Sequence, residues 1–383
     1  MSGEARSPRP SVSLASDAGA APRTAGHATF REGKFFGSLD GLRAISVVAV
    51  IWHHVGFTGG GAWPYLLSTG FHGVTLFFAI SGFLITTLLL RERERHGRVD
   101  LKAFYMRRSL RIFPLYYAVL AIYVVLVWVL ERQSTTGQEF FRNLPYFLSY
   151  TSNWFVHLEG RVIFYFAWSL AAEEQFYLVW PTVQRYVSPR RAVAAVVVVI
   201  VGVAWAQFAT GDVHAEGKGL LMRIVTGIPL AICFGVVLAH ALHSTRGFDA
   251  LRGWLGHRAS ALVWLVALLA ALAWRAAPEV LIHFCAAMLV GACVYREDHI
   301  LAGVLRLRAL VHIGAVSYGV YLLHMLVRNA IGKAAGAAHI ELPAIAAFAL
   351  TVAASVAVAT LSFRYFEAPF LRLKQRWATP AAA

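Results

Sequence analysis

An arginine and a histidine in one apolar segment are the first residues whose types and spacing suggest chemistry. Arg43 and His54 lie eleven residues apart. Eleven steps of about 100° are about 20° more than three helical turns, so both side chains project from one helix face. At 1.5 Å per residue, His54 lies about 16 Å beyond Arg43, near the middle of a bilayer. His53 points about 100° away from His54 and is predicted to be structural.

A histidine buried in an apolar segment is expected to be neutral. A neutral imidazole accepts a proton, which is what general-base activation of a hydroxyl requires. The spacing alone leaves two interpretations of His54 open: a general base, or a ring whose hydrogen bonds are satisfied by a neighbouring helix.

Two adjacent glutamates, Glu173 and Glu174, lie in another apolar segment. Ionisable side chains within membrane spans are costly and typically mark a functional site. Adjacent carboxylates do not share a helix face, so the two are expected to have different partners. With Gln175 and Tyr177 beside them, they indicate a polar cavity.

Arg108 and Arg111 are three residues apart at the start of a further apolar segment. On one helix face they would clamp a phosphate through paired guanidinium hydrogen bonds. The spacing alone favours a simpler interpretation, in which they are ordinary basic residues flanking a membrane helix.

The composition indicates an integral membrane protein. Of 383 residues, 58% are hydrophobic and only 14% are charged, whereas soluble domains carry about 25% charged residues. The formal net charge of +15 comes from basic residues between apolar segments, not from a basic surface patch, so no nucleic-acid partner is predicted. The three cysteines lie within apolar segments, and neither a disulfide nor a metal site is expected.

Ten segments are near the length that crosses a bilayer, which predicts an all-α polytopic protein of about ten transmembrane helices. They are residues 40–58, 72–90, 112–130, 164–183, 191–209, 219–240, 260–274, 279–294, 311–330 and 344–363. The longest outer loop, residues 131–163, is expected either to rest on the membrane or to close over a substrate.

Basic residues after the second segment and after alternate later segments predict that both termini are cytoplasmic. Three regions follow: a disordered cytoplasmic tail (1–36), a transmembrane domain (37–372) and a short cytoplasmic tail (373–383). A multi-pass protein of the inner (plasma) membrane is predicted, with the lipid bilayer as a partner.

Several function classes have no residues to support them. The zinc-protease pattern HExxH, the hydrolase pattern GxSxG and a nucleotide-binding Walker loop are all missing from the sequence. A transporter or flippase for a lipid-linked sugar remains the alternative. It predicts inverted repeats and interrupted helices in matching halves, neither of which is evident from the sequence.

Six segments, in this order, resemble acyltransferase family 3, whose members O-acylate sugars, polysaccharides and some antibiotics. They are residues 38–43 (SLDGLR) followed by His54, 76–85 (LFFAISGFLI), 107–114 (RRSLRIFP), 168–177 (WSLAAEEQFY), 317–324 (SYGVYLLH) and 365–370 (YFEAPF). Together they extend over most of residues 38–370.

The resemblance implies a ten-helix bundle that uses a cytoplasmic acyl-CoA, commonly acetyl-CoA, as co-substrate and holds no permanent cofactor. The acceptor would be a carbohydrate, a polysaccharide or a macrolide-type compound. The site residues follow from the matched motifs. His54 takes the position of the catalytic histidine and Arg43 that of its partner, Arg108 and Arg111 those of the donor-binding pair, and Glu173 that of the first glutamate, while Trp168, Glu174 and Tyr177 are expected to bind substrate.

In the mechanism that this resemblance suggests, His54 removes the proton of the acceptor hydroxyl and Glu173 orients or steadies His54. Direct transfer and an acyl-histidine intermediate both stay open. The sequence differs from the family pattern at one place. Many relatives have a histidine just before Trp168, where this chain has Phe166 and Ala167.

Overall fold

The computed structural model describes residues 25–33, 36–55, 65–158, 160–210 and 219–375. Within those ranges the chain is helical and contains no β-strand, which confirms the predicted all-α class. Its helices are α1 (Ala25–Glu32), α2 (Leu39–Val55), α3 (Gly73–His96), α4 (Leu101–Leu130), α5 (Thr135–Leu148), α6 (Ser152–Phe155), α7 (Ala167–Tyr186), α8 (Pro189–Thr210), α9 (Leu220–Thr226), α10 (Leu230–His243), α11 (Thr245–Ala250), α12 (Arg252–Leu255), α13 (Ser260–Ala273), α14 (Glu279–Tyr295), α15 (Ala302–Leu305), α16 (Arg308–Ala315), α17 (Ser317–Ala337), α18 (Ala344–Ser362) and α19 (Ala368–Gln375). Short 3₁₀ turns at Tyr65–Ser68 and Gly70–His72 precede α3, and a π-helical turn at Phe363–Glu367 joins α18 to α19.

Four stretches are long and apolar enough to cross a membrane: Gly70–His96, Leu101–Leu130, Pro189–Ala209 and Ala344–Leu373. Two bent pairs, α9 with α10 and α16 with α17, raise the number to six if each pair is one span. The remaining apolar helices α13 and α14 are shorter. The ten-helix count and the cytoplasmic position of both termini therefore stay predictions.

The two bends correct the sequence analysis, which had treated the sixth and ninth segments as continuous. The α9–α10 pair bends by 47° just before α10, where Pro229 has no backbone N–H to continue the helical ladder. The α16–α17 pair bends by 78° at Val316. In α16, a Cβ on Gly314 would lie 2.0 Å from the carbonyl oxygen of Asp40, so this half-helix lies directly against the start of α2.

Helix α4 begins eleven residues before the predicted third segment. Asp100 caps it by accepting a hydrogen bond of 3.0 Å from the backbone N–H of Ala103. The early start places Arg108 and Arg111 inside a helix and not in a flanking loop. The predicted outer loop after this helix contains α5 and α6 and packs on α4, where the Tyr150 ring stacks on Tyr116 with ring centroids 4.3 Å apart.

Part of the predicted disordered tail is ordered. Residues 25–32 form α1, whose Phe30 is buried. Arg91 of α3 donates hydrogen bonds to the carbonyl oxygens of Phe30 (2.5 Å) and Gly33 (2.6 Å), which fixes α1 against the bundle. The predicted tail residues 1–24 and 376–383 lie outside the described ranges.

One end of the bundle collects basic residues, and we call it the basic end. There Arg93, in the last turn of α3, donates to the carbonyl oxygens of Gln184 and Val187, each at 3.0 Å. Arg185, in the last turn of α7, donates to the carbonyl oxygen of Val99 at 3.0 Å. These bonds bring the end of α3, the start of α4 and the end of α7 together. The opposite end, where α2 and α17 run towards Val55 and Ala337, is called the distal end.

Two hydrophobic clusters form the core, one centred on α3, α10 and α14 and the other on α2, α4 and α17. Within the first, α3 and α10 cross at glycines. A Cβ on Gly82 would lie 2.2 Å from the carbonyl oxygen of Ile232, and one on Gly235 would lie 2.4 Å from that of Ala79. Small residues allow this close backbone approach, which is the usual way helices pack in membranes.

This crossing predicts a loss of stability for Gly82→Ala. The added methyl group meets backbone, which cannot rotate away, so the helices must separate at a cost of about 1–3 kcal/mol. The midpoint of thermal unfolding in detergent should fall. Gly202→Ala in α8 is the matched control, because a Cβ there meets nothing within 4 Å. Equal unfolding midpoints for the two variants would contradict the crossing.

Candidate functional site

A cavity opens between the two hydrophobic clusters, where α2, α3, α4, α7 and α17 meet. It encloses about 830 Å³ including its solvent-facing mouth. Its polar lining contains most of the charged residues that the sequence analysis selected, together with hydroxyl groups that it did not. They are Arg43, Ser81, Arg108, Arg111, Ser169, Glu173, Glu174, Tyr177, Ser317, Tyr318 and Tyr321.

Arg108 is held at the wall of this cavity by an aromatic ring. Its guanidinium carbon lies 3.8 Å from the centroid of the Tyr177 ring, a cation–π contact. Its buried Nε has no hydrogen-bond partner among the described residues. The interpretation of Arg108 as ordinary flanking charge is therefore wrong, because its side chain lies in a buried site and not in solvent.

Both glutamates face this cavity, although different partners were expected for them. Glu173 accepts short hydrogen bonds from the hydroxyls of Ser81 and Tyr177. Glu174 also lines the cavity, and both carboxylates act electrostatically on Arg108. One helix can present both because the cavity surrounds that part of α7 widely enough to reach two adjacent positions.

Two further guanidinium groups lie in the same cavity. Arg43 pairs with Asp40 in its own helix, at 3.2 Å. Arg111 is close enough to Arg43 and Arg108 for mutual repulsion, with Glu367 as its attractive partner. Across the described ranges no salt bridge within 4.0 Å reaches Arg108 or Arg111. Clustered guanidinium groups with unused N–H donors form a site for a multiply charged anion.

His54 lies outside the lining of this cavity and pairs with a second histidine. Its Nδ1 is 2.7 Å from Nε2 of His324, and the two ring planes are nearly parallel, at 12°, with centroids 4.9 Å apart. His324 is fully buried, and its Nδ1 lies 2.5 Å from the carbonyl oxygen of Tyr321.

This arrangement fixes the tautomer of two neutral rings. A carbonyl oxygen can only accept, so Nδ1 of His324 carries its proton and donates to Tyr321. Nε2 of His324 then has the lone pair and accepts from Nδ1–H of His54. The remaining nitrogen of His54, Nε2, is left with an unprotonated lone pair. That is the state a general base requires.

The partner of His54 differs from the sequence hypothesis. Glu173 was expected to orient His54, but its hydrogen bonds go to Ser81 and Tyr177, and His324 occupies the orienting position. Sequence reasoning had included His324 in the segment 317–324 without giving it a role. The signal was present, since an ionisable side chain in an apolar span marks a candidate site.

The other expected residues fall into two groups. Arg43 lines the cavity and His54 lies towards the distal end, as their separation along one helix predicted. Trp168 is not among the residues lining the cavity, and its ring packs edge-on against Phe78 with centroids 6.1 Å apart. Phe166, one of the two residues before Trp168, packs against His324 at a centroid distance of 5.7 Å.

Comparison with known proteins gives independent information on this site. The family described as an acyltransferase domain matches residues 36–364. The peptidoglycan O-acetyltransferase OatA of Listeria monocytogenes is 29% identical over 88% of this chain and 56% of its own length. YrhL of Bacillus subtilis, whose name assigns it the same activity provisionally, is 28% identical over 88% of this chain and 55% of its own length.

The chain thus spans little more than half the length of these curated relatives. No solved structure gives a significant match. The family match covers every segment of the resemblance except the last, residues 365–370, and includes the cavity and both histidines of the pair. The chain belongs to the acyltransferase 3 family.

Proposed function

We propose that this protein transfers an acetyl group from cytoplasmic acetyl-CoA to a hydroxyl of a carbohydrate acceptor, with His54 as general base, in the inner membrane. The single observation that carries the proposal is the free lone pair on Nε2 of His54, created by the bond to His324. The cationic cavity beside this pair supplies the second half of the site.

The donor would enter from the basic end. Acyl-CoA is an anion with phosphate groups at one end and a thioester at the other. Arg108, whose buried Nε has no partner among the described residues, and Arg111 both line the cavity and could bind phosphate. The positive-inside rule places the basic end in the cytoplasm, where an acyl-CoA would be available. The negative charges of Glu173 and Glu174 would weaken the attraction between the arginines and phosphate and would hold the arginines in place.

The reaction requires two proton transfers, both through His54, and one exchange of bonds at the carbonyl carbon. Nε2 of His54 takes the proton of the acceptor hydroxyl as its oxygen attacks the thioester carbonyl. The tetrahedral intermediate then collapses and the carbon–sulfur bond breaks. Coenzyme A leaves as a thiolate, which accepts from His54 the proton that came from the acceptor hydroxyl. His324 positions the ring of His54 and disperses its positive charge, the part that a carboxylate has in hydrolase triads.

The names of the relatives support the acceptor class. OatA is named for O-acetylation of peptidoglycan, a polymer whose sugars offer hydroxyls. A polysaccharide or other carbohydrate acceptor is therefore the proposal for this chain, with a macrolide-type acceptor as a narrower alternative from the same family.

One observation favours a second candidate, transport of a lipid-linked sugar. The two bent helix pairs resemble the interrupted helices that transporters use at their binding sites. The alternative gives no role to the histidine pair, and the label-transfer experiment below distinguishes the two functions.

Replacement of His54 should abolish acyl transfer. Membranes containing His54→Ala, incubated with acetyl-CoA labelled in the acetyl group, should transfer label about 100-fold more slowly than wild type or worse, since no other group takes the proton. Label in the lipid, polysaccharide and small-molecule fractions is counted separately, which identifies the acceptor class.

His312→Ala is the control for this experiment, because His312 is exposed and bonds to Thr360 away from the cavity. It should transfer label like wild type. Equal labelling by wild type and His54→Ala would remove His54 from the mechanism. An absence of labelling in every sample, across several acyl-CoAs, would favour transport.

Replacement of His324 should also slow acyl transfer, because His324 orients the ring of His54. His324→Leu removes the acceptor for Nδ1–H of His54 and should lower kcat about 100-fold, with the KM for acetyl-CoA unchanged. His324→Gln retains an acceptor oxygen and should recover part of the kcat. A kcat for His324→Leu equal to that of wild type would show that His54 needs no orienting partner.

A further inference from the structure

We infer that the side chain of Tyr321 is a gate between the donor cavity and the His54–His324 pair, and that it admits short acyl groups only. The inference rests on the proposed function, because it concerns the path that the thioester would take. Three features of the site carry it.

The first feature is that the side chain of Tyr321 lies beside both the donor cavity and the histidine pair. Its side chain lines the donor cavity, whereas neither His54 nor His324 does. Its ring centroid lies 5.7 Å from that of His324. A thioester held in the cavity must therefore pass this ring to reach Nε2 of His54.

The second feature is a closed network of hydrogen bonds that holds the ring in place. The hydroxyls of Tyr321 and Ser169 are 2.6 Å apart, and they lie 3.2 Å and 3.1 Å from the carbonyl oxygen of Phe166. One hydroxyl donates to the other, and that other donates to the carbonyl, so either order of donation satisfies the network. Both side chains are buried, and opening the gate breaks bonds that water does not immediately replace.

The third feature is the aromatic wall around this tyrosine. Phe77, which also lines the cavity, packs edge-on against the Tyr321 ring at a centroid distance of 6.4 Å. Phe166 packs edge-on on another side at 6.0 Å. Three rings thus enclose the passage, and each further methylene of an acyl chain has to displace them more. An acetyl group, which has the shortest chain, displaces the rings least.

Replacements of the Tyr321 side chain keep the hydrogen-bond acceptor of His324, because His324 donates to the backbone carbonyl of residue 321 and not to its hydroxyl. The gate can therefore be varied separately from the base. Tyr321→Phe removes the hydrogen bonds and keeps the ring. Tyr321→Ala removes the ring itself, and Tyr321→Leu is a second variant that keeps an apolar side chain in the buried position.

The experiment compares acetyl-CoA with butanoyl-CoA as donors for the full chain in membranes. Wild type and Tyr321→Phe should both prefer acetyl-CoA. In Tyr321→Ala and Tyr321→Leu, the ratio of kcat/KM for butanoyl-CoA to that for acetyl-CoA should rise about tenfold or more, the effect of one to two methylenes in a fitted pocket. This ratio does not depend on how much of each variant is folded.

Tyr116→Phe is the matched control, since it loses a buried tyrosine hydrogen bond of 2.8 Å to the carbonyl of Phe147 outside the cavity. Its donor ratio should equal that of wild type. Unchanged ratios in Tyr321→Ala and Tyr321→Leu, with acetyl transfer by wild type intact, would overturn the gate. Failure of wild type to transfer any acyl group would overturn the proposed function and the gate with it.

Discussion

The hydrogen bond between Nδ1 of His54 and Nε2 of His324 is the interaction on which the site depends. It links two helices across 270 positions of sequence, and the carbonyl of Tyr321 holds its far end. A backbone carbonyl is a fixed acceptor, so the direction of both bonds follows without any charged group. The ring of His54 is thus oriented by a chain of neutral groups, which avoids the cost of burying a carboxylate beside it.

Three arginines and two glutamates meet in the neighbouring cavity. Arg108 stacks on Tyr177, whose hydroxyl donates to Glu173, so cation, ring and carboxylate form one connected unit. The chain keeps this cluster separate from the histidine pair by the ring of Tyr321. One compartment is suited to the phosphates of a donor and the other to proton transfer.

Sequence reasoning predicted the helical class from apolar length and a polar cavity from the buried glutamates, because both are local signals, whereas Arg108 and Arg111 were assigned to the site only through the family resemblance. It placed Arg43, Arg108, Arg111, Glu173, Glu174 and Tyr177 near chemistry, and all six line the cavity. It gave His324 no role, because the ionisable side chain marks a candidate site but its contact with His54, between α17 and α2, has no local signature. The 78° bend at Val316 was missed for a similar reason: no proline or glycine stands at the break, and the apolar pattern continues through it.

The most direct test of this account is a cryo-EM structure of the protein with a thioether analogue of acetyl-CoA, which binds but does not react. The account predicts phosphate density within hydrogen-bond distance of Arg108 and Arg111, with the thioether end of the analogue directed at the Tyr321 ring and His54. An analogue bound outside this cavity, or with its phosphates at the distal end, would contradict it.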